Sequence, residues 1–224
     1  MTGTIIVLNG APRSGKSAIV RAIQRDFEGV WVNLGVDVFM QATPQLSPGI
    51  GLRPGGERPD LEPLLPKLYA ALYESIAAHS RLGLNVVADL GHHDSYSQPL
   101  GILPDCARRL AGLPALLIGV RCPIEMIMAR RNADDRGGFY EAGDVVPAPV
   151  QRWQDAVHVP GVYDLEVDSA VLTPEGSAAA IGTLLQSWPK PSAFEKLAEL
   201  SLRSIDATEP RSANRRASGI IHRS

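Results

Sequence analysis

The chain has 224 residues, of which 45% are hydrophobic and 21% are charged, and its formal net charge is −2. This length and composition predict one globular domain with a hydrophobic core of ordinary size. The slight negative charge excludes a basic surface over the whole molecule for nucleic acid, and no apolar run predicts a membrane span or a signal peptide. Its two cysteines, Cys106 and Cys122, lie in apolar surroundings, so we expect reduced thiols and a cytoplasmic location.

Five short apolar runs alternate with helical patterns along the chain. The runs predict strands over Thr4–Leu8, Val30–Leu34, Leu84–Asp89, Ala115–Val120 and Val162–Val167. Each run is continuous rather than alternating, which is typical of strands that helices cover on both faces. Helices are predicted between the strands over Ala18–Phe27, Leu61–Leu82, Pro123–Arg131 and Pro174–Ser187. This alternation predicts an α/β fold with a parallel sheet and right-handed crossovers.

Three stretches interrupt the alternation. Residues 41–60 are rich in Pro and Gly and are expected to form a long loop or a small flap. Residues 130–149 carry many charged residues and glycines and are expected to form a lid. Beyond Trp188 the composition shifts to Pro, Ser, Ala and Arg, so we predict one domain over residues 1–188 and a partly disordered C-terminal extension over residues 189–224.

A glycine-rich motif follows the first predicted strand and precedes the first predicted helix. It fills the Walker A pattern G-x-x-x-x-G-K-[ST] with Gly10, Ala11, Pro12, Arg13, Ser14, Gly15, Lys16 and Ser17. The two glycines allow backbone angles that let successive N–H groups point into one anion-sized hollow at a helix N-terminus. Lys16 would reach the β- and γ-phosphates of ATP, and the Ser17 hydroxyl would bind Mg²⁺. The alternative is a glycine-rich turn that binds nothing.

Two aspartates follow predicted strands at the edge where ligands bind in open parallel sheets. Asp37 comes just after the second strand and could accept the proton of a substrate hydroxyl during phosphoryl transfer. Its alternative role is the N-cap of a short helical run at residues 38–41. Asp89 ends the third strand and is predicted to orient Mg²⁺ together with Ser17. The alternative for Asp89 is a turn residue before Gly91.

Several arginines are candidates for contacts with phosphate. Arg130 and Arg131 end a predicted helix and Arg136 lies in the expected lid, where cations would stabilise the charge that moves during transfer. A solvated basic helix end is the alternative, because the helix dipole also favours arginine there. Arg13 lies inside the motif and would point to solvent or to the lid, and Arg121 follows the fourth strand beside the expected crevice.

Two adjacent histidines, His92 and His93, follow Asp89. Neighbouring residues of an extended chain face opposite ways and no third ligand stands at metal spacing, so we expect no metal site there and assign this loop to the acceptor pocket. The three tryptophans are too scattered along the chain to form a base-stacking platform, and no nucleic-acid partner is expected.

Several blocks, in order along residues 4–170, give the chain a resemblance to a known family. They are Ile5–Gly10 leading into Gly15-Lys16-Ser17, then Gly35-Val36-Asp37, Gly119–Cys122, Val157-His158 and Tyr163–Asp168. On these blocks the chain resembles the chloramphenicol phosphotransferase-like family of P-loop kinases. The phosphate-binding loop is shared widely, whereas the Gly-Val-Asp and Tyr-Asp-x-Glu-Val-Asp blocks are more specific to the family.

The resemblance implies a P-loop kinase fold in which helices and a small lid flank a five-stranded parallel sheet. It implies transfer of the ATP γ-phosphoryl group to an alcohol, which in the family's namesake is the primary hydroxyl of the antibiotic chloramphenicol, a resistance reaction. The family's catalytic base matches Asp37, and its phosphate- and Mg²⁺-binding positions match Lys16 and Ser17. Arg136 falls in the lid of the family.

The chain departs from the family's namesake at Arg13, where the namesake has small residues, and in residues 41–60 and 90–98. The last two segments are expected to touch the acceptor, so the resemblance predicts kinase chemistry better than it predicts chloramphenicol. We therefore predict an ATP- and Mg²⁺-dependent O-phosphotransferase for a small hydroxylated molecule. The alternatives are a nucleotide-binding regulatory protein without turnover, or a kinase for another metabolite or a nucleotide, for which Arg53 and Arg58 could begin a second basic pocket. A homo-oligomer is compatible with the sequence but is not predicted.

Overall fold

A computed structural model describes residues 1–42, 50–133, 143, 145–187 and 192–206, the last six of these by their backbone only. Its five strands are β1 (Ile5–Asn9), β2 (Trp31–Asn33), β3 (Asn85–Leu90), β4 (Ala115–Arg121) and β5 (Leu165–Asp168). They are all parallel and lie in the order β2-β3-β1-β4-β5. The predicted five-stranded parallel sheet is confirmed, and each predicted strand overlaps an observed one.

Eight α-helices flank the sheet in the described part of the chain. They are α1 (Lys16–Asp26), α2 (Val36–Gln41), α3 (Leu65–Arg81), α4 (Ile102–Arg109), α5 (Ile124–Asn132), α6 (Ala148–Ala156), α7 (Pro174–Ser187) and α8 (Ala193–Asp206). The sequence analysis missed α4 and α6. A 3₁₀ turn over Glu62–Leu64 precedes α3, so the long helix predicted there begins later than expected. None of the described helices has the length and apolar character needed to cross a membrane.

The sheet separates two hydrophobic layers, because successive side chains of a strand face opposite sides. In β1, Ile5 and Val7 pack in one core cluster with α3 and α4, whereas Ile6 and Leu8 pack in another with α1 and α7. All four side chains are buried, which explains the continuous apolar run of β1. Because both faces are covered, the carboxyl edge of the sheet is where a ligand can enter.

The last described helix, α8, packs on this core. Its residue Leu197 is buried in the same cluster as α3 and α4. Asp164 anchors its start, since Oδ1 accepts hydrogen bonds from the N–H groups of Ser192 and Ala193 at 2.8 and 3.0 Å. The predicted boundary at residue 188 lies outside the described residues. The first part of the predicted extension therefore packs with the domain.

Candidate active site

The glycine-rich motif forms a concave loop, here called the cradle, between β1 and α1. The N–H of Ser14 donates to the carbonyl oxygen of Ala11 at 3.1 Å, and Gly15 is the N-cap of α1 with a φ of 95°. Gly10 has no room for a side chain, because a Cβ there would lie 2.6 Å from the carbonyl oxygen of Val120. One glycine of the pattern is thus required by a positive φ and the other by a close approach of two backbones.

The Lys16 ammonium group lies inside the cradle. Its Nζ donates to the carbonyl oxygens of Gly10 and Ala11, each at 2.8 Å. Burial lowers the pKa of Lys16 to about 8, while the carboxylates of Asp89 and Asp37 oppose this shift by favouring the charged form. A partly desolvated ammonium group in this position is a strong partner for an anion.

The cradle fits a phosphate group by three features. The buried Ser14 hydroxyl has no hydrogen-bond partner among the described residues. The first turn of α1 contains no acidic residue of its own, and the positive end of the helix dipole favours an anion. Lys16 adds a full positive charge beside them. Together these groups supply the N–H, O–H and ammonium donors that the phosphates of ATP would accept.

A hydroxyl–carboxylate pair lies beside the cradle at the end of β3. Ser17 Oγ donates to Asp89 Oδ2 at 2.6 Å. Asp89 lies within β3, so the alternative of a turn residue is wrong. Both groups are oxygen ligands of the kind that Mg²⁺ takes, and Mg²⁺ usually completes its shell with waters and phosphate oxygens. Within the described ranges no three His, Cys, Asp or Glu side chains could hold a metal together.

Asp37 lies in the first turn of α2, and its side chain is exposed. The N-cap of α2 is Gly35, so the alternative in which Asp37 caps a helix at residues 38–41 is wrong. Gly35 packs so tightly against Asp89 that a Cβ on it would lie 1.9 Å from Oδ1. This close approach sets the position of α2 against β3, and both carboxylates line one cavity.

The predicted arginines occupy different places. Arg130 lines the cavity, where its guanidinium group donates to the carbonyl oxygens of Arg13 and Ser169 and to the Ser169 hydroxyl. Arg131 is buried in α5 and does not line the cavity. Arg136 lies outside the described residues.

The sequence analysis did not predict Arg21, which lines the cavity, and it predicted Arg121, which does not. Arg21 lines the cavity from α1, about one helical turn after Ser17. That spacing puts both residues on one face of the helix, so the motif and the helical period together could have found Arg21. Arg121 instead pairs with Glu166 at 2.7 Å, and its guanidinium group lies 6.0 Å from the ring centre of Tyr163.

The cavity has a volume of about 1100 Å³ and lies at the carboxyl edge of the sheet. Its cationic wall, from the cradle, α1 and α5, consists of Arg13, Lys16, Arg21 and Arg130. Its apolar wall comes from α2, α3, the end of β3 and α6, and consists of Val36, Met40, Tyr69, Leu90 and Trp153. Pockets for one small ligand usually measure about 300–1,000 Å³, so this cavity lies just above the upper end of that range.

Two aromatic residues of the apolar wall come from distant helices. Trp153 of α6 stands over Gly91, where a Cβ would lie 3.0 Å from its ring, and meets the His93 ring edge-on at 4.9 Å. Tyr69 of α3 lies 4.9 Å from the His92 ring, measured between centroids. The sequence analysis assigned neither aromatic residue to the site. No motif marks them, because α6 was not predicted and Tyr69 belongs to an ordinary buried helix face.

A hydrogen-bond network around Asn9 joins the segments that surround the cavity. Asn9, the last residue of β1, accepts a hydrogen bond from the N–H of His92 at 2.7 Å. Its amide group donates to the carbonyl oxygen of Val157 at 2.8 Å and to the Tyr163 hydroxyl at 3.0 Å. The same hydroxyl contacts His158 Nδ1 at 2.8 Å. The network thereby fixes β1 to the loop after β3 and to the segment after α6.

The two adjacent histidines lie behind the cavity rather than in its wall. His92 Nε2 contacts the hydroxyl of Tyr73 at 2.8 Å, and burial lowers the pKa of His92 to about 3. His93 Nε2 contacts the carbonyl oxygen of Leu52 at 2.8 Å, and burial also lowers its pKa. Both are neutral packing residues, and the part of their loop that lines the cavity is Leu90–Gly91.

Comparison with known proteins relates this site to other chains. The family model described as chloramphenicol phosphotransferase-like protein matches residues 3–186. A Mycobacterium tuberculosis protein, provisionally named an O-phosphotransferase and found in two strains, is 27% identical over 210 residues, covering 87% of this chain and 88% of the relative.

Solved structures share the fold at low identity. Shikimate kinase from Acinetobacter baumannii, in complex with shikimate, is 13% identical with a TM-score of 0.53, covering 83% of this chain and 94% of that one. The APS kinase of Mycobacterium tuberculosis, in complex with AMPPNP and APS, is 16% identical with a TM-score of 0.51, covering 83% and 98%. These likenesses establish a P-loop kinase fold. Since the family model spans all five strands of the sheet and the whole cradle, the chain belongs to the chloramphenicol phosphotransferase-like family.

Proposed function

We propose that this protein is an ATP- and Mg²⁺-dependent O-phosphotransferase whose acceptor is a hydroxyl group of a small molecule without anionic groups. One observation carries the proposal: the cradle and the Asp37 carboxylate line the same cavity. Family membership and the P-loop kinase fold supply the reaction class. ATP would supply the transferable γ-phosphoryl group, and Mg²⁺ would offset its negative charge.

The cationic wall would bind the nucleotide. The N–H groups of residues 10–17 and the Lys16 ammonium group would hold the phosphates, as the fit of the cradle suggests. Ser17 and Asp89 would hold Mg²⁺ through the oxygens that now share a hydrogen bond. Arg13 and Arg21 would stabilise the charge that moves to the leaving phosphate. Arg136 of the expected lid is proposed for the same task.

Asp37 would act as the general base. Its exposed carboxylate, on a helix positioned by the close approach of Gly35 to Asp89, would accept the proton of the acceptor hydroxyl as that oxygen attacks phosphorus. Asp89 lines the same cavity, but its carboxylate accepts the hydrogen bond from Ser17 and would coordinate the proposed cation. The two carboxylates therefore have separate tasks, one in proton transfer and one in cation binding.

The charges near the apolar wall favour an acceptor without anionic groups. Arg58 pairs with Asp60 at 2.7 Å. Arg53 lies 3.9 Å from Glu57, which also pairs with Arg152. The arginines that could begin a second basic pocket are thus accompanied by carboxylates, which weakens the alternative of a nucleotide acceptor. Apolar and aromatic side chains around one carboxylate suit an uncharged alcohol instead.

The test is ADP release from the purified protein with ATP and Mg²⁺, measured with and without chloramphenicol and then with a panel of uncharged alcohols. We expect acceptor-dependent ADP release and a mass increase of the acceptor by one phosphoryl group. Asp37→Asn should bind ADP normally but lose about 100-fold to 10,000-fold in transfer, the usual contribution of a general base.

The matched control is Asp26→Asn, which removes an exposed carboxylate at the far end of α1, where it pairs with Arg25. This variant should transfer at the rate of the original protein. Equal loss of ADP binding and transfer in Asp37→Asn would mean that Asp37 is structural. ATP binding without turnover on any acceptor would favour the regulatory alternative.

A further inference from the structure

Arg13 has a left-handed backbone conformation, which glycine or asparagine adopts more readily than arginine. The N–H of Ser14 donates to the carbonyl oxygen of Ala11, which closes a four-residue turn with Pro12 and Arg13 at its centre. Arg13 has a φ of 64°, and it is the sole residue other than glycine with a positive φ in the described ranges. Turns with Pro second and a positive φ third strongly favour Gly or Asn in the third place. The cradle is therefore strained at Arg13.

The Arg130 side chain holds this strained residue from outside the cradle. Its Nη1 donates to the carbonyl oxygen of Arg13 at 3.2 Å and to Ser169 Oγ at 3.1 Å, and its Nη2 donates to the carbonyl oxygen of Ser169 at 2.8 Å. Ser169 is itself fixed, because its N–H donates to the carbonyl oxygen of Arg121 at 3.0 Å. Arg130 thus links the cradle to the ends of β4 and β5.

The path of the Arg130 side chain also depends on the cradle. A Cβ on Gly15 would lie 3.3 Å from Nη1 of Arg130, so the guanidinium group passes close beneath the N-cap of α1. The direction of the Arg13 carbonyl is set by the backbone angles of Arg13. A donor fixed on that carbonyl therefore favours the left-handed conformation over the extended one that arginine would otherwise prefer.

We propose that Arg130 is a positioning residue for the cradle: by holding the Arg13 carbonyl it keeps an arginine in the left-handed conformation that the phosphate-binding loop requires. The inference rests on the proposed function, because it concerns the loop that would bind the nucleotide. It differs from a direct phosphate contact, since the donors of Arg130 are directed to backbone and hydroxyl oxygens and to Cys122 Sγ of the protein.

The test compares the effect of Arg130→Gln in three backgrounds: the original chain, Arg13→Gly and Arg13→Gln. Glycine adopts the left-handed conformation without help, whereas glutamine removes the charge of Arg13 and keeps the strain. Arg130→Gln should weaken ADP binding about tenfold in the original chain and in Arg13→Gln, but by no more than about twofold in Arg13→Gly. Calorimetric titration with ADP and Mg²⁺ measures the three differences.

An equal loss in all three backgrounds would overturn the proposal, because it would mean that Arg130 touches the nucleotide itself. The midpoint of thermal unfolding gives an independent readout on the same variants without nucleotide. Arg13→Gly should recover the midpoint lost in Arg130→Gln, and Arg13→Gln should not; recovery by neither contradicts the proposal. If the original chain binds no ADP, the proposed function fails, and the thermal comparison still decides the role of Arg130.

Discussion

The two walls of the cavity are built in different ways. The cationic wall comes mainly from consecutive residues of the cradle and from Arg21 one turn later, so a short stretch of chain determines most of its geometry. The apolar wall brings together α2, α3, the end of β3 and α6, which are far apart in the sequence. Its shape depends on how these elements pack, and Trp153 and Tyr69 are its largest side chains.

Under the proposed function, this difference separates nucleotide binding from acceptor selection. The cradle would bind phosphate through backbone N–H groups and one ammonium group, which many sequences with the same glycines can supply. The apolar wall would select the acceptor through side chains, which can change without altering the cradle. Substitutions in the cationic wall should therefore change ADP affinity, and those in the apolar wall should change the Michaelis constant of the acceptor.

Among the substitutions that test the difference between the two walls, the largest effect is expected at Lys16. Lys16→Met keeps most of the apolar stem and removes the ammonium group that donates to Gly10 and Ala11. Without this charge the moving phosphoryl group loses a preorganised partner, so kcat/KM should fall by about 1,000-fold. Lys67→Met, at an exposed position of α3, is the matched control and should leave the rate unchanged. A loss under about tenfold in Lys16→Met would contradict the assignment.

A substitution at Gly35, where α2 meets β3, should reduce phosphoryl transfer more than ADP binding. In Gly35→Ala, the new Cβ would lie 1.9 Å from Asp89 Oδ1, so either α2 with Asp37 or the Asp89 carboxylate must move. Misplacement by about 1 Å can reduce a rate by about 100-fold, and we expect a loss of this size in kcat with little change in ADP affinity without Mg²⁺.

The control for Gly35→Ala is Gly182→Ala, a glycine in α7 whose Cβ would meet only the Phe27 ring, at 3.4 Å. It should transfer normally and unfold at a slightly higher temperature, because alanine favours a helix over glycine by about 1 kcal/mol. An unchanged kcat in Gly35→Ala would mean that the contact with Asp89 does not position the site.

The apolar wall can be tested at Trp153. Trp153→Leu removes the ring that stands over Gly91 and contacts His93, and it keeps an apolar side chain. We expect the Michaelis constant of the acceptor to rise by about tenfold or more while ADP affinity stays within about twofold. Trp31→Leu makes the same change in the hydrophobic layer of α1 and α7, outside the cavity lining, and should alter neither constant. Weaker ADP binding in Trp153→Leu would show that the walls are not separable.

The smallest effect is a pH dependence of ADP binding. The pKa of Lys16 is lowered to about 8 by burial, and a bound phosphate would raise it again. Below about pH 8 Lys16 is already charged, whereas above it binding must take up a proton, so ADP affinity should fall up to about tenfold between pH 8 and pH 9. Titration in buffers of different ionisation enthalpy measures the proton uptake. In Lys16→Arg the side chain stays charged, so the ADP affinity of this variant should not change between pH 8 and pH 9.

Much of the fold follows from the sequence, because continuous apolar runs mark strands that are buried on both faces. β5 begins at Leu165 rather than at Val162, since the side chain of Tyr163 is used in the Asn9 network before the strand starts. The sequence analysis missed α4 and α6, which have only eight and nine residues, and Trp153 is the buried residue of α6. Short helices of this kind are held by tertiary contacts rather than by their own pattern.

The site divides in the same way. The positions of the cradle and of Asp89 could be predicted from the sequence, because the cradle belongs to a glycine-rich motif and Asp89 to the end of a strand. The contact between Gly35 and Asp89 could not be, because only the packing of α2 on β3 brings them together. The hydrogen bond from the Arg130 guanidinium group to the Arg13 carbonyl oxygen joins residues 117 positions apart, and no sequence period relates them.

The Asp164 carboxylate has a practical consequence for protein engineering. It accepts hydrogen bonds from the N–H groups of Leu117, Ser192 and Ala193, so one side chain fastens the sheet to the start of α8. A recombinant protein trimmed to the segment that matches the family, residues 3–186, would lose two of these bonds and uncover the apolar groove that Leu197 fills. Expression for crystallisation should therefore keep the chain at least to residue 206, or solubility will suffer for reasons unrelated to catalysis.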